Sequence, residues 1–258
     1  MSHQRSELRP EAVSYTERVV AFLDVLAFTA LIRKASNHAQ AAATICLLDN
    51  ALRHRDLPES RPHARLRMFS DCICLSDDAS PEGVHFVLWR CVVIQGLLLG
   101  SRQLVRGAVT LGRHYENESM IFSEGLVQSY ELEKSAVYPR VILSPHVVSL
   151  AQNQASSDVT GSPVRELILS DFDGLPFLDY FRFLEILMDM QSRQPAAYES
   201  RDLSHPEEEE TAMSPQEFLE RHSQVVQQGL QEWAGEPHVL QKYAWMATLE
   251  RRADRYGG

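Results

Sequence analysis

The 258-residue chain is short of cysteine, of positive charge and of long apolar runs, and each shortage excludes something. There are four cysteines, and 25 lysines and arginines stand against 35 aspartates and glutamates, for a formal net charge of -10. A surplus of acid argues against binding along a phosphate backbone, so no nucleic-acid partner is expected. The longest apolar stretch, "CVVIQGLLLG" at 91–100, is shorter than the roughly 20 residues of a membrane-spanning helix and is broken by Gln95 and Gly96. No membrane span or membrane partner is expected. The N-terminal segment lacks the apolar core and small-residue cleavage site of a secretory signal, so export is not expected. Cys46, Cys72, Cys74 and Cys91 all sit in apolar sequence, where reduced, core-packed thiols are expected rather than metal ligands or disulfides. The expectation is a cytoplasmic protein.

What is present is enough for a core: 44% of residues are hydrophobic. Val19 to Leu23 is β-branched and apolar without alternation, the pattern of a strand buried on both faces. "VLAFTALIRKA" favours helix, and Asn37 is placed to cap a second one whose Ala41, Ile45, Leu48 and Leu52 follow helical spacing. Leu66 to Phe69 and Cys72 to Leu75 read as a tight hairpin with Asp71 at its tip. Ser80-Pro81 starts an apolar helix, "QLVRGAVTLG" is a strand, "EGLVQSYELEKSA" a helix and "YPRVILSP" a strand. Beyond these, "RELILSDFDGLPFLDYFRFLEILM" reads as a strand, a turn at Asp173-Gly174 and an apolar helix; Ser214-Pro215 starts another helix, and the chain closes on a last one. The order predicts an α+β fold with a ferredoxin-like βαββαβ core, helices on one face, and an α-rich C-terminal extension.

Two acids stand out. Asp24 closes the first strand, and Asp71 lies on the hairpin expected beside it. Neither has a basic neighbour in sequence, and two adjacent carboxylates repel, so a divalent cation held by hard oxygen donors is the natural companion. The alternative for each acid is a strand-end or turn former. "DVLAFT" turns from strand into helix just after Asp24, and the free N–H groups there, around Phe28 and Thr29, suit a phosphate.

These residues resemble the class III nucleotidyl cyclases, whose first metal-binding Asp stands in "D-[IV]-x-G-F-[ST]". Here "DVLAFT" matches all but the glycine, which is Ala27. Taken together, "AFLDVLAF", "FSDCICLS", "VRGAVTLG" and "YELEKSAVYPRVILS" look like the pyrimidine nucleotide cyclases of bacterial Pycsar antiphage systems. The resemblance covers roughly residues 19–148; a catalytic domain over 1–158 and an extension over 159–258 are expected, and the polar, proline-containing, acidic composition near 192–213 reads as a flexible loop. The resemblance implies that Asp24, Asp71 and the Val25 carbonyl hold two Mn²⁺ or Mg²⁺ ions, and that Phe28 and Thr29 hold the triphosphate. Arg67 stands where purine cyclases place a base-reading lysine; a surface arginine is the alternative.

The purine enzymes' Asn and Arg pair falls on Val127 and Glu131, which points away from purine chemistry. The missing cation is then Arg106 or Arg140, with Arg106 preferred, since charge building on the phosphates needs a donor. Tyr130 is placed to line the base pocket or to pack. Sites of this class lie between two catalytic domains, so the resemblance implies a homodimer. It implies conversion of UTP to 3′,5′-cyclic UMP and pyrophosphate as an antiphage second messenger read by a separate effector. A cytidylate cyclase and an inactive nucleotide-binding relative are the alternatives.

Overall fold

Val19, Ala21, Leu23 and Val25 point to one side of strand β1 (Thr16–Val25) and enter the main core, while Val20 and Phe22 point to the other. The computed structural model describes residues 13–53, 61–153, 164–182 and 215–253. β1 runs past the expected Val19–Leu23 at both ends because one neighbouring strand pairs with it along its whole length and the other from Arg18 to Asp24. Two short helices follow, α1 (Phe28–Lys34) and α2 (His38–Arg53), the second opened by Asn37, whose Oδ1 accepts from the Gln40 N–H at 3.0 Å. Ile45 is exposed on α2, and the inward face is carried by Leu48, Ala51 and Leu52.

The expected hairpin forms as β2 (Arg65–Phe69) and β3 (Cys72–Asp78). Helix α3 (Pro81–Gly100) is capped by Ser80, whose hydroxyl accepts from the Gly83 N–H at 3.0 Å. By length and apolarity α3 could cross a membrane, but most of it is buried inside the fold. β4 (Val105–Glu116) is followed by a strand absent from the sequence reading, β5 (Ile121–Ser123), then α4 (Glu124–Glu133) and β6 (Val141–Leu143). The sheet order is β2-β3-β1-β4-β6-β8-β7, with β5 paired to β4. Its first four strands are antiparallel in the ferredoxin-like order, so the α+β expectation holds.

Three features differ from expectation. Helices cover both faces: α3 packs against the Leu23 side, whereas α4 lies on the Val20 side, where a Cβ built on Gly125 would stand 2.8 Å from Val20 Cγ2. Close approach is the reason, because a Cβ on Gly112 would meet the Gly125 backbone at 2.7 Å. The Asp173-Gly174 turn leads first into a strand, so that β7 (Ile168–Ser170) and β8 (Pro176–Leu178) extend the sheet beyond β6; most of the helix expected after the turn, and the acidic loop, lie outside the described residues. The cysteines are free but not all core: Cys74 and Cys91 are buried, Cys72 is half-buried and Cys46 is exposed. Helix α5 (Pro145–Gln152) and the C-terminal pair α6 (Pro215–Glu232) and α7 (Pro237–Ala253) complete the chain.

Candidate functional site

Strand pairing brings the two acids together. Asp24 is opposite Cys72 on β3, and the next residue, Val25, donates its N–H to the Asp71 carbonyl at 2.8 Å. Asp71 is at the hairpin tip because Ser70 takes a left-handed conformation (φ 58°) that turns the chain in two residues. Burial holds the Asp24 carboxyl above the ordinary aspartate range, Arg106 opposes this, and the Asp71 charge pushes the same way as burial. Between them, the Cys72 thiol is pushed up to about 12 by burial and then by Asp71, Asp24 and Glu133.

On the other side Asp24 is opposite Arg106 of β4. Arg106 Nη2 donates to Asp24 Oδ2 at 3.2 Å, and its Nε is in ion-pair contact with Glu133 Oε1, out of hydrogen-bond alignment. Sequence reading treated Asp24 as lacking a cation because Arg106 is distant in the chain; the sheet places them face to face. Glu133 was not singled out as a site residue. Its signal was there, since Gly125, Ser129 and Glu133, four apart, form the buried face of α4, and an acid on such a face needs a partner. Burial raises the Glu133 carboxyl, Arg106 opposes, and Asp24 adds to the rise. Lys242 of α7, which no sequence feature marked, is half-buried within reach of the charges of Arg106, Asp24 and Glu133.

Among the described residues no three His, Cys, Asp or Glu side chains form a ready metal cage. The donor set is nevertheless of the right chemistry for a hard divalent cation. Two crowded carboxylates and a main-chain carbonyl are oxygen donors of the kind that hold Mg²⁺, which keeps its other positions for water and phosphate oxygens.

The remaining expected residues spread around this centre. Ala27 opens α1 in a left-handed conformation (φ 59°, ψ 24°) with no side-chain cap, so the first N–H groups of the helix, at half-buried Phe28 and exposed Thr29, have no side-chain acceptor. Arg67 is engaged away from Asp24, by the Glu116 carboxylate and the Asn117 carbonyl, and donates to the Glu118 carbonyl at 3.1 Å. Tyr130 is an exposed ring on α4, edge-on to Phe22 with centroids 5.4 Å apart and beneath the Lys134 ammonium. Arg140, the second candidate cation, is fully buried and held by Asp171 and Asp173. It is committed to structure and does not reach the two acids.

A comparison with protein-family models and with curated proteins finds no match. Among solved structures, the chain is similar to the adenylyl cyclase CyaB from P. aeruginosa, at 15% identity and TM-score 0.42, over 64% of this chain and 93% of that one. It is similar to a class III adenylyl cyclase-like ATP-binding protein from Pseudomonas aeruginosa, at 11% identity and TM-score 0.43, over 70% of this chain and 43% of that one. A third is the dimeric guanylyl cyclase domain of the RhoGC fusion protein from Blastocladiella emersonii, at 13% identity and TM-score 0.43, over 64% of this chain and 96% of that one. Likeness at this level assigns no activity, and the chemistry rests on the chain's own residues.

Proposed function

We propose that this chain is a nucleotidyl cyclase that converts UTP to 3′,5′-cyclic UMP and pyrophosphate in the cytoplasm, as a second messenger of antiphage defence read by a separate effector. The observation that carries the reading is the convergence of Asp24 and Asp71 on paired strands with Arg106 across from Asp24. Asp24, Asp71 and the Val25 carbonyl would hold two Mn²⁺ or Mg²⁺ ions. Bound there, the ions would lower the pKa of the ribose 3′-hydroxyl and neutralise the departing pyrophosphate.

The chain's own residues do the rest. The N–H groups at Phe28 and Thr29 receive phosphate oxygens, and Arg106 exchanges part of its pairing with Asp24 for the negative charge that builds in the transition state. Glu133 keeps the guanidinium in place while this happens. Arg67, once released from Glu116, would offer donors to the acceptor-rich edge of uracil, and Tyr130 its ring to the base. Exposed apolar side chains, Phe69 on the Asp71 hairpin and Val127 and Tyr130 on α4, provide surface that a second copy would cover, in keeping with a homodimer whose sites lie at the interface.

Incubation of the full chain with Mn²⁺ or Mg²⁺ and each of the four NTPs tests the reading, with product separated by chromatography and mass. Cyclic UMP is expected; cyclic CMP as the main product would make it a cytidylate cyclase. The double engagement of Arg106 and the exposed Val127 and Glu131 where a purine cyclase has its Asn and Arg favour a second reading, a nucleotide-binding module without turnover. Tight NTP binding with no cyclic product would establish that one.

A further inference from the structure

The sheet's register places the C-terminal helix on the same face of the sheet as Asp24. Asp24 and Phe22 share a face of β1; Phe22 is opposite Ala108, Ala108 opposite Ile142, and Ile142 opposite Phe177, so these side chains share one face. On that face Phe177 meets the indole of Trp245 edge to face at 5.7 Å. The indole also stacks on Tyr138 at 5.7 Å and donates Nε1–H to buried Asp171 Oδ2 at 2.6 Å. α7 is therefore fixed by an aromatic and a polar contact at once. Lys242 precedes Trp245 by three residues, about one turn, and so projects from nearly the same side of the helix, within the field of the Asp24, Arg106 and Glu133 charges.

Arg106 is shared by two carboxylates and can release only part of its charge to an incoming polyanion, and Arg140 is held by two others. Lys242 makes no ion pair among the described residues, although it lies within the field of both carboxylates and of Arg106. A half-buried ammonium on a four-carbon stem, repelled by a neighbouring guanidinium and without an ion-pair partner among the described residues, is suited to a triphosphate that brings several negative oxygens.

We propose that Lys242 contacts the phosphates of the bound nucleotide, so that the C-terminal helix supplies a working cation to the site. The inference rests on the reading of that site as one for nucleoside triphosphates. It gives α7 a part in the chemistry rather than in packing alone.

The test compares the full-length wild type with Lys242→Met and Lys242→Arg. Two quantities are measured: cyclisation rates, and affinity in Mn²⁺ for the 3′-deoxy analogue of each NTP, which binds but lacks the attacking hydroxyl. Lys242→Met is expected to weaken analogue binding and kcat/KM each by at least about tenfold, with an unchanged melting temperature and partial rescue in Lys242→Arg. Wild-type binding and turnover in Lys242→Met would overturn the proposal. If the wild type binds the analogues but forms no cyclic product, the cyclase reading falls, and weaker analogue binding by Lys242→Met still upholds the lysine's role. A wild type that binds no triphosphate overturns both.

Discussion

Arg106 stands opposite Asp24 across the β1–β4 ladder and reaches Glu133 on α4 at the same time, so one guanidinium joins two strands and a helix. Replacing Arg106 with Gln is expected to lower turnover by at least about a hundredfold. It also leaves Glu133 buried without its cation, at a cost of about 3 kcal/mol. The double substitution Arg106→Met with Glu133→Met separates the two effects: thermal stability should recover and activity should not. Recovery of both would mean that Arg106 serves the fold alone.

Asp71 contributes to structure mainly through its carbonyl, which accepts from Val25, while its half-exposed carboxylate accepts, among the described residues, only from the Cys72 thiol at 3.6 Å. Asp71→Asn should therefore keep the melting temperature while reducing cation-dependent turnover by several kcal/mol, on the order of a thousandfold. Titration of Mn²⁺ against each protein checks the cause. An unchanged rate would remove the metal argument.

At Ala27 the chain takes a left-handed conformation that its methyl group disfavours by about 1 kcal/mol. The resembling motif has glycine at this position, and the geometry explains why. Ala27→Gly should raise stability by roughly 0.5 kcal/mol after the added freedom of the unfolded chain is counted. Calorimetry would measure this as an increase on the order of 2 °C in Tm.

Buried His222, bonded to the Tyr180 hydroxyl at 3.0 Å, has its pKa pulled down from 6.5 to about 4 by burial. The unfolded chain therefore takes up this proton first as pH falls. Stability contributed by the neutral ring is fully present above 6.5 and is lost toward 4. The loss amounts to roughly 3 kcal/mol. His222→Gln should flatten this part of the Tm profile even if it lowers Tm throughout. A wild-type Tm that is level between these pH values would refute the assignment.

Most of the central fold was legible because its signals are local. Ser80-Pro81 announces α3, Asn37 caps α2, and a two-residue gap between apolar runs makes the Asp71 hairpin. Pairing followed from the order of elements, and with it the meeting of Asp24 and Asp71. Partnerships across the sheet were not legible: Arg106 is 82 residues from Asp24, and nothing in "QKYAWM" marks Lys242 as lying in the field of the Asp24 charge. The two-sided helix cover was hidden for a related reason. Gly112 and Gly125 read as ordinary strand and helix glycines until their backbones are seen in contact. β8, three residues long after the Asp173-Gly174 turn, is too short to show alternation, whereas β7 before the turn was expected as a strand.

The bond from the Val25 amide to the Asp71 carbonyl has a consequence for how such a chain changes over time. Main chain sets where Asp71 stands, so at that position the scaffold is a holder indifferent to what it carries. The Asp71 carboxylate can be exchanged while the strands keep their register. A catalyst and a silent receptor on this frame can therefore differ by one side chain at Asp71, and descent from one to the other through that position requires no intermediate that fails to fold.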